Sequence, residues 1–290
     1  TNTSAATAFI GDNSSTFDKA FVFGGVNVCP EGLVNDIDKS LRGVVHYVAV
    51  LGSDAWPEKH KEVQGSDVQM LMRVDTEAAT VSLLTVPRDT YYVQRGSDFR
   101  PSCPGLTCTC SSASACTGKT WCKSNYAFHY AYYQALADGA DHRSATHAGA
   151  AKECQAISEI TQVGVTKYVV CDIETVQKIV DAIGGLSVDL PYALDWGSET
   201  DYLPAGEQVL NGYDFMVASR ERHSYAEKYG LPEDALRQSV DRMMLFRLIK
   251  AALNPGEMGL PDIFSTGGLL NFLVSSGLIE TNISSDDISA

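Results

Sequence analysis

Basic residues are scarce in this chain. Its 22 Lys and Arg stand against 36 Asp and Glu, giving a formal charge of −14 and a pI near 4.8. So acidic a surface repels phosphate backbones, which excludes a general nucleic-acid binder and leaves room only for a local basic pocket. Long apolar runs are lacking too. An uncharged, apolar-rich stretch of helical length, residues 263–279, is interrupted by Ser, Thr, Asn and Gly, and it reads as a buried terminal helix rather than a membrane span. The first residues, TNTSAATAFIGDNSS, have no basic n-region and no apolar h-region, so neither a signal peptide nor an anchor is read there. Nucleotide and hydrolase signatures are missing: there is no Gly-Lys-Ser/Thr phosphate loop, no G-x-G-x-x-G and no G-x-S-x-G elbow. The histidines (His46, His60, His129, His142, His147 and His223) form no H-E-x-x-H zinc pattern. His46 falls inside an apolar strand and reads as a core histidine, whereas His223, beside two arginines, stays open as functional.

What is present is an ordinary globular composition, 44% hydrophobic and 20% charged over 290 residues, enough to bury a full core. Cysteine is the unusual component. Eight occur, at Cys29, Cys103, Cys108, Cys110, Cys116, Cys122, Cys154 and Cys171. Such crowding means disulfides in an oxidising compartment or a metal cluster in a reducing one. The small, polar segment PSCPGLTCTCSSASACTGKTWC lacks paired zinc-knuckle spacings and neighbouring histidines, which favours disulfides and an extracytoplasmic location. Cys154 on a helix and Cys171 at the end of the next strand are expected to pair. Cys29 and the five insert cysteines would form further bridges whose connectivity parity alone does not assign.

Residues 1–40 read as a polar lead-in. Strands are expected at 43–51 (GVVHYVAVL), 68–75 and 80–86, the last two joined as a hairpin through DTEAA. A cysteine-rich insert follows at 95–122. Helices are expected at 125–138, 145–161, 173–183, 211–220 and 232–253, with strands at 167–171 and 186–190. The interleaving predicts an α/β fold: a single domain over 41–290 with a central mixed β-sheet flanked by helices, plus a disulfide-rich loop insertion.

Charged groups gather at the predicted strand and helix ends, where α/β sheets present side chains to a shared crevice. They are Gly52-Ser53-Asp54, Gly65-Ser66-Asp67 with Arg73 further along, Pro87-Arg88-Asp89, Ser219-Arg220-Glu221-Arg222-His223, and a final helix carrying Asp234, Arg237, Gln238, Asp241 and Arg242. Each alone fits a helix cap or a solvated salt bridge. Together they are arginines interleaved with aspartates in a chain poor in bases. Arginine grips phosphate oxygens bidentately, and paired aspartates suit a hard cation such as Mg²⁺.

Taken in order, VAVLGSDA (48–55), GSDVQMLMRVD (65–75), VSLLTVPRDTYYV (81–93), KSNYAFHYA (123–131), VDAIGGLSVDLP (180–191) and LPAGEQVLNGYDFMVASRER (203–222) resemble the LytR-CpsA-Psr family of bacterial cell-wall glycopolymer transferases. The resemblance runs from about 44 to 253 and implies a transferase of the cell envelope, anchored to the plasma membrane by an N-terminal segment that these 290 residues do not contain. It implies a polyprenyl-pyrophosphate-linked glycan as donor, Mg²⁺ as cofactor, and a hydroxyl of peptidoglycan or a surface protein as acceptor. Carried over residue by residue, Asp54 and Asp67 are the metal or base aspartates, Arg88 the arginine of P-R-D, and Arg220 and Arg222 the R-x-R pair on the pyrophosphate. Arg73, Asp89, Asn125, Asp234, Arg237 and Gln238 are expected around the pocket. Two departures stand out: Trp56 and Gly65 occupy positions where the family often carries arginine. Three functions remain open on this reading: the transferase, a non-catalytic lipid-carrier binding module, and a pyrophosphatase using water as acceptor.

Overall fold

The computed structural model describes residues 43–53, 65–94, 120–195, 202–221, 230, 233–253 and 279–284. The expected lead-in over 1–40 lies outside them, as do residues 95–119 of the cysteine-rich insert with Cys103, Cys108, Cys110 and Cys116; so does Cys29. Of Cys122 only the backbone is described. The fold is mixed α/β, with a five-stranded sheet in the order β11-β6-β1-β2-β3. In chain order the described elements are β1 Val45–Ser53, β2 Ser66–Asp75, β3 Thr80–Thr85, β4 Tyr91–Gln94, β5 Thr120–Lys123, α1 Asn125–Ala137, α2 His142–Thr161 and β6 Lys167–Asp172. They continue with α3 Ile173–Ala182, β7 Leu186–Leu190, β8 Leu194–Asp195, β9 Tyr202–Leu203, β10 Gly206–Leu210, α4 Gly212–Arg220, α5 Glu233–Leu253 and β11 Glu280–Thr281. The chain divides into two compact units, one of Thr1–Leu51, Gln64–Val169 and Thr281–Ala290, the other of Gly52–Val63 and Val170–Glu280.

The first unit is built on the sheet. β2 and β3 form the expected antiparallel hairpin, with Asp75 opposite Thr80. Asp75 is buried and closes the turn, accepting from the Ala78 amide at 2.9 Å and from Arg73 Nη2 at 3.1 Å. Two helices pack together beside it. Buried small residues line α2 (Ala145, Gly149, Ala150, Ala156), and Gly149 lets the buried Phe128 of α1 approach closely. Asp141 caps α2 through the Ser144 amide at 2.7 Å, and Gln162 ends it in the left-handed region, φ 59°. Near the C-terminus, Asn282 extends the sheet with its side chain: Oδ1 accepts from the Tyr168 amide at 3.0 Å and Nδ2 donates to the Thr166 carbonyl at 2.8 Å.

The second unit has its own core, of Val180, Leu186, Val188, Leu190, Leu210, Val217, Val240 and Met244 among others. β7 and β10 pair antiparallel, Leu186 opposite Leu210. The VDAIGG segment makes this possible. Gly184 and Gly185 turn the chain at φ 79° and 99°, and a side chain at Gly185 would strike Val209 at 2.7 Å.

One cysteine expectation is corrected here. Cys154 and Cys171 form no disulfide; both are thiols. The Cys154 sulfur lies 3.9 Å from the Lys167 carbonyl, at the start of β6, whereas Cys171 is four residues further along that extended strand. At about 3.3 Å per residue that is roughly 13 Å, beyond the reach of a disulfide.

Candidate functional site

The site in the first unit starts at the beginning of β2, where Ser66 and Gln69 are buried and Asp67 is partly exposed. Gln69 ties three segments together. Its Nε2 donates to the Ser66 carbonyl at 3.1 Å, its backbone carbonyl accepts from the Val86 amide at 2.8 Å, and its Oε1 accepts from Ser124 Oγ at 2.7 Å. β3 ends before Pro87, and the Pro87-Arg88-Asp89 turn is closed by the Thr90 amide on the Pro87 carbonyl at 2.8 Å. This turn brings Arg88 back onto β2, where Nη1 donates to Asp67 Oδ1 at 2.7 Å.

The start of α1 seals the other side. Asn125 donates its amide to the Arg88 carbonyl at 3.2 Å, and Ser124 Oγ, whose one proton goes to Gln69 at the shorter distance, lies 3.1 Å from the same carbonyl. Gly65 lies so close that a Cβ there would sit 3.0 Å from the Asn125 carbonyl oxygen. A side chain at that position would crowd the start of α1. Lys123 Nζ meets Asp89 Oδ1 at 2.8 Å. Asn125 Oδ1 is buried and has no hydrogen-bond partner, so it is an acceptor held ready inside the cluster. A partly exposed ion pair such as Asp67–Arg88 contributes only about 0–1 kcal/mol to stability, so its value here is positional.

Asp67, Arg88, Asp89 and Asn125 are thus brought together as the motifs suggested. Arg73 is not. It lies six residues along β2 from Asp67, roughly 20 Å at strand rise, and it braces the hairpin turn through Asp75. Sequence reasoning missed Lys123, Gln69 and Ser124. Lys123 was legible in the K-S-N tripeptide, whereas Gln69 and Ser124 reveal themselves only as buried polar groups whose partners lie far off in sequence.

Other predicted residues fall in the second unit. Arg220 is the last residue of α4, a helix whose start is capped by Asn211 on the Asp214 amide at 2.9 Å. On α5, Arg237 and Asp241 form an ion pair at 3.6 Å with side chains only 5% and 6% exposed, and Gln238 is half-buried beside them. A buried pair of this kind is costly to desolvate and is weak evidence for stability. Asp54 and Arg222 lie outside the described residues, as does His223, and only the backbone of Asp234 is described. Among the described residues no three His, Cys, Asp or Glu side chains gather as a metal cluster.

A model of the LytR_cpsA_psr family matches residues 35–289. Among curated proteins the chain is 24% identical, over 233 residues, to the polyisoprenyl-teichoic acid–peptidoglycan teichoic acid transferase TagV of Bacillus subtilis. That match takes in 75% of this chain and spans about half (50%) of the relative's length. The crystal structure of B. subtilis TagV superposes with a TM-score of 0.53 at 20% identity, covering 84% of this chain and 77% of that one. The protein gbs0355 of Streptococcus agalactiae superposes with a TM-score of 0.59 at 16% identity, covering 86% and 72%. These structures share the fold, and the family match spans nearly all of the sequence: the chain belongs to the LytR_cpsA_psr family.

Proposed function

We propose that this protein is a phosphoglycosyl transferase that moves a glycopolymer from a polyprenyl-pyrophosphate carrier to a hydroxyl of peptidoglycan or a surface protein. The observation that carries the reading is the Arg88–Asp67 contact at 2.7 Å, set against the unpartnered Asn125 oxygen at the edge of one sheet. A guanidinium fixed at a strand end by a carboxylate and a turn is suited to grip pyrophosphate oxygens. Lys123, held by Asp89, adds a second positive charge. Arg220 and Arg222 are assigned phosphate contact on their R-x-R motif alone.

In the reaction the acceptor oxygen forms a new P–O bond to the glycan-bearing phosphorus. The pyrophosphate P–O–P link breaks, and polyprenyl phosphate leaves with the electron pair. A carboxylate, Asp54 or Asp67, takes the acceptor proton. The donor set also fits a hard cation: Asp67 offers a partly exposed carboxylate, and Asn125 Oδ1 is a buried oxygen with no hydrogen-bond partner. Asp54 and Asp67 would hold Mg²⁺, which when bound supplies neutralisation of charge on the pyrophosphate oxygens. We place the protein on the outer face of the plasma membrane, tethered to it. None of the described helices is long and apolar enough to cross a membrane.

The test is cleavage of a glycan-loaded polyprenyl pyrophosphate by wild type and Arg88→Ala, with and without Mg²⁺ and a hydroxyl acceptor. Metal-dependent transfer reduced about 10²–10³-fold in the variant supports the reading, the range for losing one preorganised electrostatic donor. Lipid retained without cleavage would make the protein a binding module. Release to water, unaltered by acceptor, would make it a pyrophosphatase.

A further inference from the structure

The first four amides of a helix have no partner within it, and they usually rely on a side-chain cap. Helix α1 has none of its own. Ser124, at the cap position, has helical dihedrals (φ −57°, ψ −41°) and makes no capping hydrogen bond. Its hydroxyl is turned instead to Gln69 and to the Arg88 carbonyl. The Ala127 amide finds the Ser124 carbonyl at 2.9 Å, and the Asn125 amide goes to Arg88. The Phe128 amide is met from another helix altogether: Glu153 Oε2, on α2, accepts it at 3.0 Å.

We propose that Glu153 is a positioning residue for the Arg88–Asp67–Asn125 site, acting through the first turn of α1. Glu153 is fully buried and hydrogen-bonds to none of the site's side chains, and its second oxygen, Oε1, has no hydrogen-bond partner. Gly149, one turn earlier on the same face of α2, makes the approach possible. A Cβ there would lie 3.0 Å from both the Phe128 ring and its carbonyl oxygen. Phe128 is one turn from Asn125, so the height of that amide above α2 sets where Asn125 Oδ1 sits relative to Arg88. The first turn is therefore fixed at three points: the Arg88 carbonyl, Gln69 and Glu153. An apolar side chain at 153 would pack the core at lower cost than a carboxyl. What it would not supply is the acceptor that fixes the helix start.

The proposal rests on the phosphate-binding reading above, and the test separates the two. Binding of inorganic pyrophosphate with Mg²⁺ is measured by calorimetry for wild type, Glu153→Gln, Glu153→Leu and Gly149→Ala. Amide hydrogen exchange is followed in the same four proteins. Glutamine keeps an oxygen acceptor, so it should retain affinity within about twofold, while leucine and Gly149→Ala should weaken binding about tenfold or more through misplacement. The amides of residues 125–128 should exchange faster in those two variants, with the rest of α1 and all of α2 protected as in wild type. Equal binding by wild type and Glu153→Leu, or equal loss in Glu153→Gln and Glu153→Leu, overturns the proposal. If Glu153→Leu does not fold, Gly149→Ala decides, and unchanged binding and exchange there overturn it. If wild type binds no pyrophosphate, the functional reading falls on its own. Exchange then decides: selective loss at 125–128 in Glu153→Leu sustains the positioning role, and unchanged protection refutes it.

Discussion

Gly212 is the residue whose substitution the structure prices most directly. It opens α4, and its amide donates to Asp181 Oδ1 at 2.7 Å, joining the VDAIGG segment to the LNG segment. A Cβ at Gly212 would sit 2.4 Å from the Gln177 carbonyl oxygen and 2.8 Å from Asp181 Oδ2. Ordinary contact begins at 3.4 Å, so Gly212→Ala requires the start of α4 to retreat by about 1 Å from α3. That retreat breaks the amide–carboxylate bond, about 1.5–3 kcal/mol for a bond to a charged group. Overpacking adds about 1–3 kcal/mol. The expected loss is about 3–5 kcal/mol, or on the order of 10 °C in Tm for a chain of this size. Thermal and urea unfolding of Gly212→Ala would measure it, beside Asp181→Asn, which keeps an acceptor oxygen and should lose about 1 kcal/mol. Because α4 ends at Arg220, turnover of Gly212→Ala should also fall at temperatures where it remains folded. A Gly212→Ala protein within 1 kcal/mol of wild type would refute the clamp, since α4 would then shift without consequence.

Arg73→Ala should cost about 1 kcal/mol, the worth of its bond to Asp75, and leave transfer within about twofold of wild type; a large loss of transfer in the folded variant would return Arg73 to the pocket. Burial, with Asp172 adding to it, pushes the Cys171 thiol up to about 12, and burial also raises Cys154. Both should therefore resist alkylation at pH 8 until the protein unfolds, as mapped by peptide mass. Native labelling, or a linked Cys154–Cys171 peptide without reductant, would contradict this. The native state holds these protons after the unfolded chain loses them, so this part of the stability is present below about 9 and is lost as pH rises from there toward 12. Burial likewise holds the Glu153 carboxyl well above the usual range, partly offset by the Phe128 amide. Its contribution is complete at acid pH and declines as pH rises through the ordinary carboxylate range. Glu153→Gln should then raise Tm at pH 7 and give no gain at pH 4; a gain equal at both would show that the carboxyl is not held protonated.

The motifs were informative where chemistry and local geometry coincide. Pro87 stops a strand, the turn it starts carries Arg88, and Asp67 opens the neighbouring strand, so P-R-D and S-D meet because the hairpin between them is short and regular. The two glycines of VDAIGG directly follow the helix expected at 173–183, and their dihedrals show why glycine serves there. Distance along an extended strand defeated the reading elsewhere. Arg73 looks adjacent to Asp67 in sequence, yet strand rise carries it to the far end of β2; the same arithmetic separates Cys171 from Cys154. The pairing of β4 with β5 joins segments on either side of the cysteine-rich insert, and no local periodicity encodes it. β10 was missed because its five residues, with Glu207 and Val209 outward, carry too short an alternation to stand out from a loop. Glu153 is the deepest case. In the sequence it is one acid in a small-residue helix, indistinguishable from a solvated charge. Only the absence of a working cap on α1, a fact about Ser124 dihedrals and a hydroxyl turned to Gln69, makes a buried carboxyl on a different helix necessary. The polar residues that set a site's geometry without touching its ligand are specified by unmet hydrogen bonds, and those exist only once the chain has folded.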